Sequence, residues 1–594
     1  MLQRYFKILV ILLTLQLKVV SAQKLYVLNW IPDSSSKAGF TRAVQSSTGP
    51  MDSLGCVQEI RKTFLQLIDA SYLTANINSI NFRDSSCDVN ITLGSNYKWV
   101  ALTPGNLPED VLTAAGWRAN QFYNQPYNHS QLGLRMAKML QYLEQNGYPF
   151  AQLKLDSIML THATVSAQLN IDKGDLIRFD TLEIIGDANI KSWYVAKYLG
   201  LKKDGLYNEL LIKNANMRLS QLPYVQTSQP IFVYFVGATA KPVVYLTNKK
   251  SSSVDGIIGF APASNNNRDK LLITGEANLK LQNLFGTGKA FDLAFKSFLN
   301  GSQDLRTRVV WPYILKSNIG VDYEFNLLKF DSSFLDVRHD IGLQYRFIGN
   351  DYFKVFYTTQ STSLIRVDTL AIKQTKALPS ANEITTNSYG VALKMTRYDY
   401  FYNPRKGFSL DASAAVGIKT IERNSTINSL KFTSADGSLK SIYDTMQLSS
   451  VQYRLVMKGD VFIPLTMRST LRLEASAAHL QAQQVFLSEM FRIGGIRTLK
   501  GFDEQAIFAS TYGILNAELR YLLQQNSNVM LFWNGAWYTN KLQSVSDKPY
   551  GFGAGLNFET GAGVFSLYYA VGKQFNNVIE FDKAKIHFGF INYF

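Results

Sequence analysis

The side chains able to do covalent or metal chemistry are few in this chain, and they are scattered. His129, His162, His339, His479 and His587 fall in different segments, and no histidine or cysteine spacing suits a metal. No nucleophile motif or phosphate-binding glycine loop occurs, so the chain is not expected to be an enzyme or to carry a cofactor or metal. Cys56 and Cys87 both lie early in the chain, where an oxidising compartment would allow a structural disulfide; two free thiols are the alternative. The densest chemistry is non-covalent and sits in residues 491–510, FRIGGIRTLKGFDEQAIFAS. Gly494, Gly495 and Gly501 ask for tight turns or positive φ. Arg497, Lys500 and Phe502 are spaced so that a cation and an aromatic ring could fold back into a pore.

The elements that must position such a loop follow from composition. The chain has 594 residues, too many for one ordinary soluble domain, yet no apolar run after the N-terminus is long enough for a spanning helix. Residues 1–22 read as a signal peptide, with Arg4 and Lys7, an apolar run at 8–15, and small residues at Val20-Ser21-Ala22. The mature chain would begin at Gln23, which is not a lipidated cysteine. Lysine and arginine exceed acids by 61 to 45, but they are spread along strands, so nucleic acid is not an expected partner. Outer-membrane lipid and lipopolysaccharide, or simple solvation of a polar lumen, suit that charge better.

Two architectures divide the chain near residue 250. Residues 23–249 read as mixed α and β, in three modules at 23–97, 98–174 and 175–249, each in β-α-α-β-β order. The first has a helix at 57–67 and strands near 77–82 and 89–93. The second has an amphipathic helix at 132–146, then Gly147 and Pro149 as a stop leading into a strand at 152–159. The third has strands at 179–185, 231–236 and 242–246 around a helix at 207–222.

From 250 to 594 the period becomes two. Ile273, Gly275, Ala277, Leu279 and Leu281 alternate with Thr274, Glu276, Asn278 and Lys280. Tyr550, Phe552, Ala554, Leu556 and Phe558 face one way, with Gly551, Gly553 and Gly555 opposite, where space would be left for an inserted loop. Sixteen such segments can be counted. Their connectors are short at 285–288, 350–351, 403–407, 524–527 and 560–563, and long around 366–386, 423–445 and 486–510. Short turns on one side and long loops on the other predict a transmembrane antiparallel β-barrel of about sixteen strands. Residues 491–510 then form the sixth outer loop.

That loop, following an alternating strand and joined to Lys500-Gly501-Phe502, resembles the signature loop of the BamA/TamA family. Members of that family are outer-membrane barrels with periplasmic POTRA domains that insert or export other outer-membrane and surface proteins. The turns at 283–288 and 403–407 and the junction Gly147-Tyr148-Pro149-Phe150-Ala151 also resemble family patterns, so the likeness spans nearly the whole mature chain. It implies that the loop lies inside the barrel with its cation against the wall. Here Lys500 stands where the family usually has arginine, and the wall segment 531–535 carries Asn534 where an aspartate is expected. A neutral amide suits lysine's single-point donor, so Lys500 and Asn534 are expected within about 4 Å or bridged by one water.

The resemblance also implies localisation to the outer membrane with periplasmic modules, and unfolded outer-membrane proteins as clients. A further periplasmic or inner-membrane partner would meet the modules. Client strands would add to exposed module edges and pass to a seam between the first and last barrel strands. Gly256, Gly259 and Pro262 weaken the first strand, while Phe590 and the terminal Phe594 belong to the last, so cysteines near Ile257 and Phe590 should cross-link. Three modules suit a TamA-like accessory role; a BamA-type central factor, a passive porin and a surface adhesin are the alternatives.

Overall fold

The computed structural model describes residues 24–34, 36–44, 49–262, 271–297, 301–433, 437–560, 563–575, 577–581 and 584–593. The expected signal peptide, Gln23 and Phe594 lie outside the described residues. Two compact units divide the chain: the first holds two small sheets, the second a third sheet and a barrel.

The three small sheets repeat one wiring. In the first, Val27–Pro32 runs parallel to Ser86–Thr92, whose other side pairs antiparallel with Asn76–Phe82. Lys98–Thr103, Thr164–Asp172 and Gln152–Thr161 repeat that order in the second. In the third, Thr239–Asn248 is central, parallel to Glu183–Ile185 and antiparallel to Val225–Val236. Helices Lys37–Ala43 and Ser53–Asp69, Glu109–Ala114 and His129–Gln145, and Ser192–Leu199 and Glu209–Leu219 supply the two helices of each module. The helix His129–Gln145 shows how sequence sets such an element. Asn128 accepts from the Gln131 amide at 2.8 Å, and Gly147, at φ 95°, lets the chain leave. Leu132, Met139 and Leu143 are buried in one core with Trp99, Val165 and Leu169. The strand expected at 179–185 is two short ones, Arg178–Phe179 and Glu183–Ile185, because the Asp180 carboxylate accepts from the next amide and turns the chain.

Beyond residue 250 sixteen long antiparallel strands close into a barrel from Ser253–Pro262 to Lys585–Tyr593, with three-residue Val545–Asp547 as an extra short strand. Its burial is inside out. Asp322, Gln344, Glu474, Glu518 and Asn534 are buried, while Ile341, Leu343, Val451, Tyr453, Leu455 and Trp533 are exposed. Water would penalise that outer face by roughly 1.5–3 kcal/mol per large side chain, so the surrounding medium is lipid. Among the described residues no helix is long and apolar enough to cross a membrane; the strands do so.

Within the second unit the third sheet is fastened to the barrel's turns. The Asn283 amide donates to the Asn189 carbonyl at 2.8 Å and the Lys197 ammonium to Asn318 at 3.0 Å. The Gly349 amide meets the Tyr198 carbonyl at 2.7 Å, and Gln221 donates to the Tyr398 carbonyl at 2.9 Å. Tyr194 sits at the centre, bonded to Tyr224 at 2.7 Å and edge-on to Tyr313 on the rim.

Candidate functional site

Residues 491–510 form a hairpin that folds back into the lumen. Phe491–Ile493 pairs with Ile507–Ala509, and the Thr498 hydroxyl bonds both the amide and the carbonyl of Gly494 at 2.9 Å. Gly494, Gly495 and Gly501 have φ of 114°, 91° and 93°, the conformation the sequence asked of them. At Gly501 space decides as well: a Cβ would stand 2.8 Å from the Gly572 nitrogen and the Val571 carbonyl. The loop backbone thus lies directly on the wall, against Gly551 and Gly572. Phe502 is buried with Ile493, Leu499, Ile507, Ile514 and Tyr538.

Lys500 is buried, its ammonium 3.1 Å from a Glu518 carboxylate oxygen and over the Phe532 ring at 5.1 Å. This corrects the expected partner. Among the described residues neither amide atom of the buried Asn534 has a hydrogen-bond partner, and its Oδ1 and the Lys500 carbonyl both crowd Gly551. A dipole cannot offset the cost of burying an ammonium, whereas a carboxylate can. Glu518 also holds Arg520 at 2.5 Å and Arg472 at 3.3 Å. Arg472 extends the network to Asp460 at 3.2 Å and to Glu474. Asn516 ties in the loop itself, donating to the Thr498 carbonyl at 3.4 Å and to Glu474 at 3.0 Å. Glu518 was findable from sequence. It is the one acid in Thr511–Gln524, and it shares the inward face with Asn516 and Arg520 while Leu515, Leu519 and Tyr521 point out.

The seam is short. Among the described residues Ser253, Val254 and Asp255 pair with Tyr593, Asn592 and Ile591, three rungs, whereas the neighbouring first and second strands share ten. Gly256 and Gly259 pair with Ala277 and Thr274 of the second strand and lie past the last seam rung. Phe590 pairs with Phe565 on the penultimate strand, their rings 4.5 Å apart, and follows directly on the rung Asp255–Ile591, so the rungs at 253–255 with 591–593 lie beside the Ile257 and Phe590 neighbourhood, whose facing register the sequence left open.

Away from the barrel, Cys56 and Cys87 are free thiols, fully buried together in the first module, with the Cys56 thiol donating to the Met51 carbonyl. Burial raises both, Cys87 to about 11.

A family model, the Omp85 superfamily domain, matches residues 283–591, more than half of the chain. Among solved structures, CdiB from Acinetobacter baumannii aligns with a TM-score of 0.51 at 11% identity, over 95% of this chain and 100% of that one. CdiB from Escherichia coli gives 0.49 at 15%, over 91% and 98%. BamA from Haemophilus ducreyi lacking POTRA domains 1-3 gives 0.38 at 13%, over 83% and 99%. At these identities the likeness is one of fold, and the A. baumannii match carries it. No curated protein matches the chain in sequence.

Proposed function

The chain belongs to the Omp85 superfamily, outer-membrane barrels that assemble or translocate proteins, and from that premise we propose that it is a TamA-like accessory factor for outer-membrane and surface proteins. The observation that carries the proposal is the three-rung seam beside a lumen filled by an anchored loop. A seam with so few backbone bonds can part and offer two strand edges to an incoming client strand, with no covalent step. Upstream, the edge strands Gln152–Thr161 and Val225–Val236 expose Ile158, Met159, Leu160, Phe232, Tyr234 and Val236. Apolar edges of this kind suit capture of unfolded strands before delivery, and the modules at 23–97, 98–174 and 175–249 would act as POTRA domains facing the periplasm. Anionic lipid and lipopolysaccharide would surround the basic barrel. The filled lumen disfavours a passive porin.

Depletion followed by a census of outer-membrane proteins tests the reading. Loss of a subset of barrel or surface proteins is expected. Broad loss with cell death would indicate a BamA-type central role, and loss of one solute's uptake with an intact census would overturn assembly altogether.

A further inference from the structure

The lumen loop does more than sit against the strands nearest its root. On either side of Lys500 it meets strands on both sides of the seam. Arg497 lies 3.1 Å from Glu276 on the second barrel strand, Leu271–Leu284. Glu504 lies 3.0 Å from Lys296 on the third strand, Lys289–Ser297, and Lys296 is also 3.4 Å from Glu276. On the far side of the seam Asp503 meets Lys585, the first residue of the last strand, at 2.7 Å. The backbone rungs of the seam occupy the other end, at the start of the first strand and the finish of the last.

We propose that these ion pairs are a latch: the loop pins the second and third strands to the last strand across the stretch of seam that has no rungs among the described residues. The pairs are suited to release. Arg497 and Asp503 are mostly exposed, and partly exposed pairs are individually weak and screened by salt. The Lys500–Glu518 anchor is buried, so the middle of the loop stays in place while the exposed charges on either side of it let go. Sequence proximity cannot explain the arrangement, since Arg497 and Glu276 are 221 residues apart and both ends of the latch use opposite charges on opposite strands.

The test reads the seam itself in the full chain reconstituted in lipid nanodiscs. Spin labels at cysteines replacing Ala261 and Ile586, in a Cys56→Ser, Cys87→Ser background, report the separation of the outer ends of the first and last strands. The expected result is a narrow distance distribution at low salt, a shift to longer distances for Asp503→Lys, and recovery in Asp503→Lys with Lys585→Asp. Distributions that overlay for wild type, Asp503→Lys and Arg497→Glu would overturn the latch. Should the labelled background fail to insert, hydrogen exchange of amides 585–590 in the cysteine-intact chain gives the same decision: faster in Asp503→Lys and restored in the swap, or unchanged and the latch is wrong. The latch rests on the seam reading only for its use by clients. A seam that loosens while the census of outer-membrane proteins stays intact would sink the proposed function and leave the latch standing.

Discussion

At the scale of the residue, Glu518 is worth more than the lysine that pointed to it. Removing Lys500 leaves Glu518 facing Arg520 and Arg472, while Glu518→Gln leaves three cations around a neutral amide. We expect Glu518→Gln to cost about 3–5 kcal/mol, the range for stripping one partner from a buried ion pair. Lys500→Ala should cost less, about 1–2 kcal/mol. Heat-modifiable gel mobility of the two purified variants checks the order; equal melting would show that the network does not pivot on Glu518. The loop's glycines, lysine and phenylalanine were legible because their types are constrained locally, by φ and by burial. The partner's type and face were legible too, since Glu518 is the one acid on the inward face of its strand, but its pairing was not, because that depends on which inward position a folded-back loop reaches, a matter of register over several strands. Asn534 occupies the right face and crowds the same glycine, Gly551, as the Lys500 carbonyl, but the ammonium pairs with Glu518. The cysteines are a second case. Burial raises both thiols, Cys87 to about 11, so near neutral pH the buried pair is almost entirely protonated and slow to exchange. Once folded the pair should therefore resist oxidation, and protein isolated from cells should carry two free thiols. Denaturation without reductant followed by alkylation should add two alkyl groups; no added mass would show that the disulfide forms.

At the scale of the element, the period-two pattern after residue 250 showed the strands themselves, because every one has lipid on one face and lumen on the other. Glycines opposite the aromatic face of Tyr550–Thr560 also read correctly as room for a loop: Gly551 meets the Lys500 carbonyl. Register was the harder quantity. A hairpin fixes its own register through its turn, but the first and last strands are joined by no turn, so nothing local sets how they slide. The structure places Val254 opposite Asn592. Val254→Cys with Asn592→Cys is expected to form a disulfide and to lower client assembly, with reductant restoring it. Assembly at wild-type levels in fully cross-linked protein would move the passage of clients from the seam to the lumen.

At the scale of the whole molecule, the second unit is an arm bolted to a barrel, and the bolts are unevenly placed. Hydrogen bonds from the third sheet's module reach four turns, at 283–288, 312–318, 347–351 and 398–402, which join the second to the ninth strands. From the last of these turns towards the ends of the later strands a cavity of about 400 Å³ opens beside Lys249 and Lys250, lined by Tyr402, Asn526, Asn557 and Ser566. That side is next to the seam, so a strand held at the module's edge has a short route to it. The arrangement makes the fastening itself testable. Gly288 sits at φ 67° against the Tyr194 ring, and any side chain there would occupy the ring's place. Gly288→Val should unseat Tyr194 from Tyr224 and Tyr313 and free the module from the first turn, while the barrel, whose strands do not depend on that contact, still inserts. Hydrogen exchange should quicken in Ser192–Leu199 with the barrel's rates unchanged, and client assembly should fall. Assembly that survives a demonstrably loosened module would mean that the arm only captures clients, and that its fixed seat on the rim plays no part in delivering them.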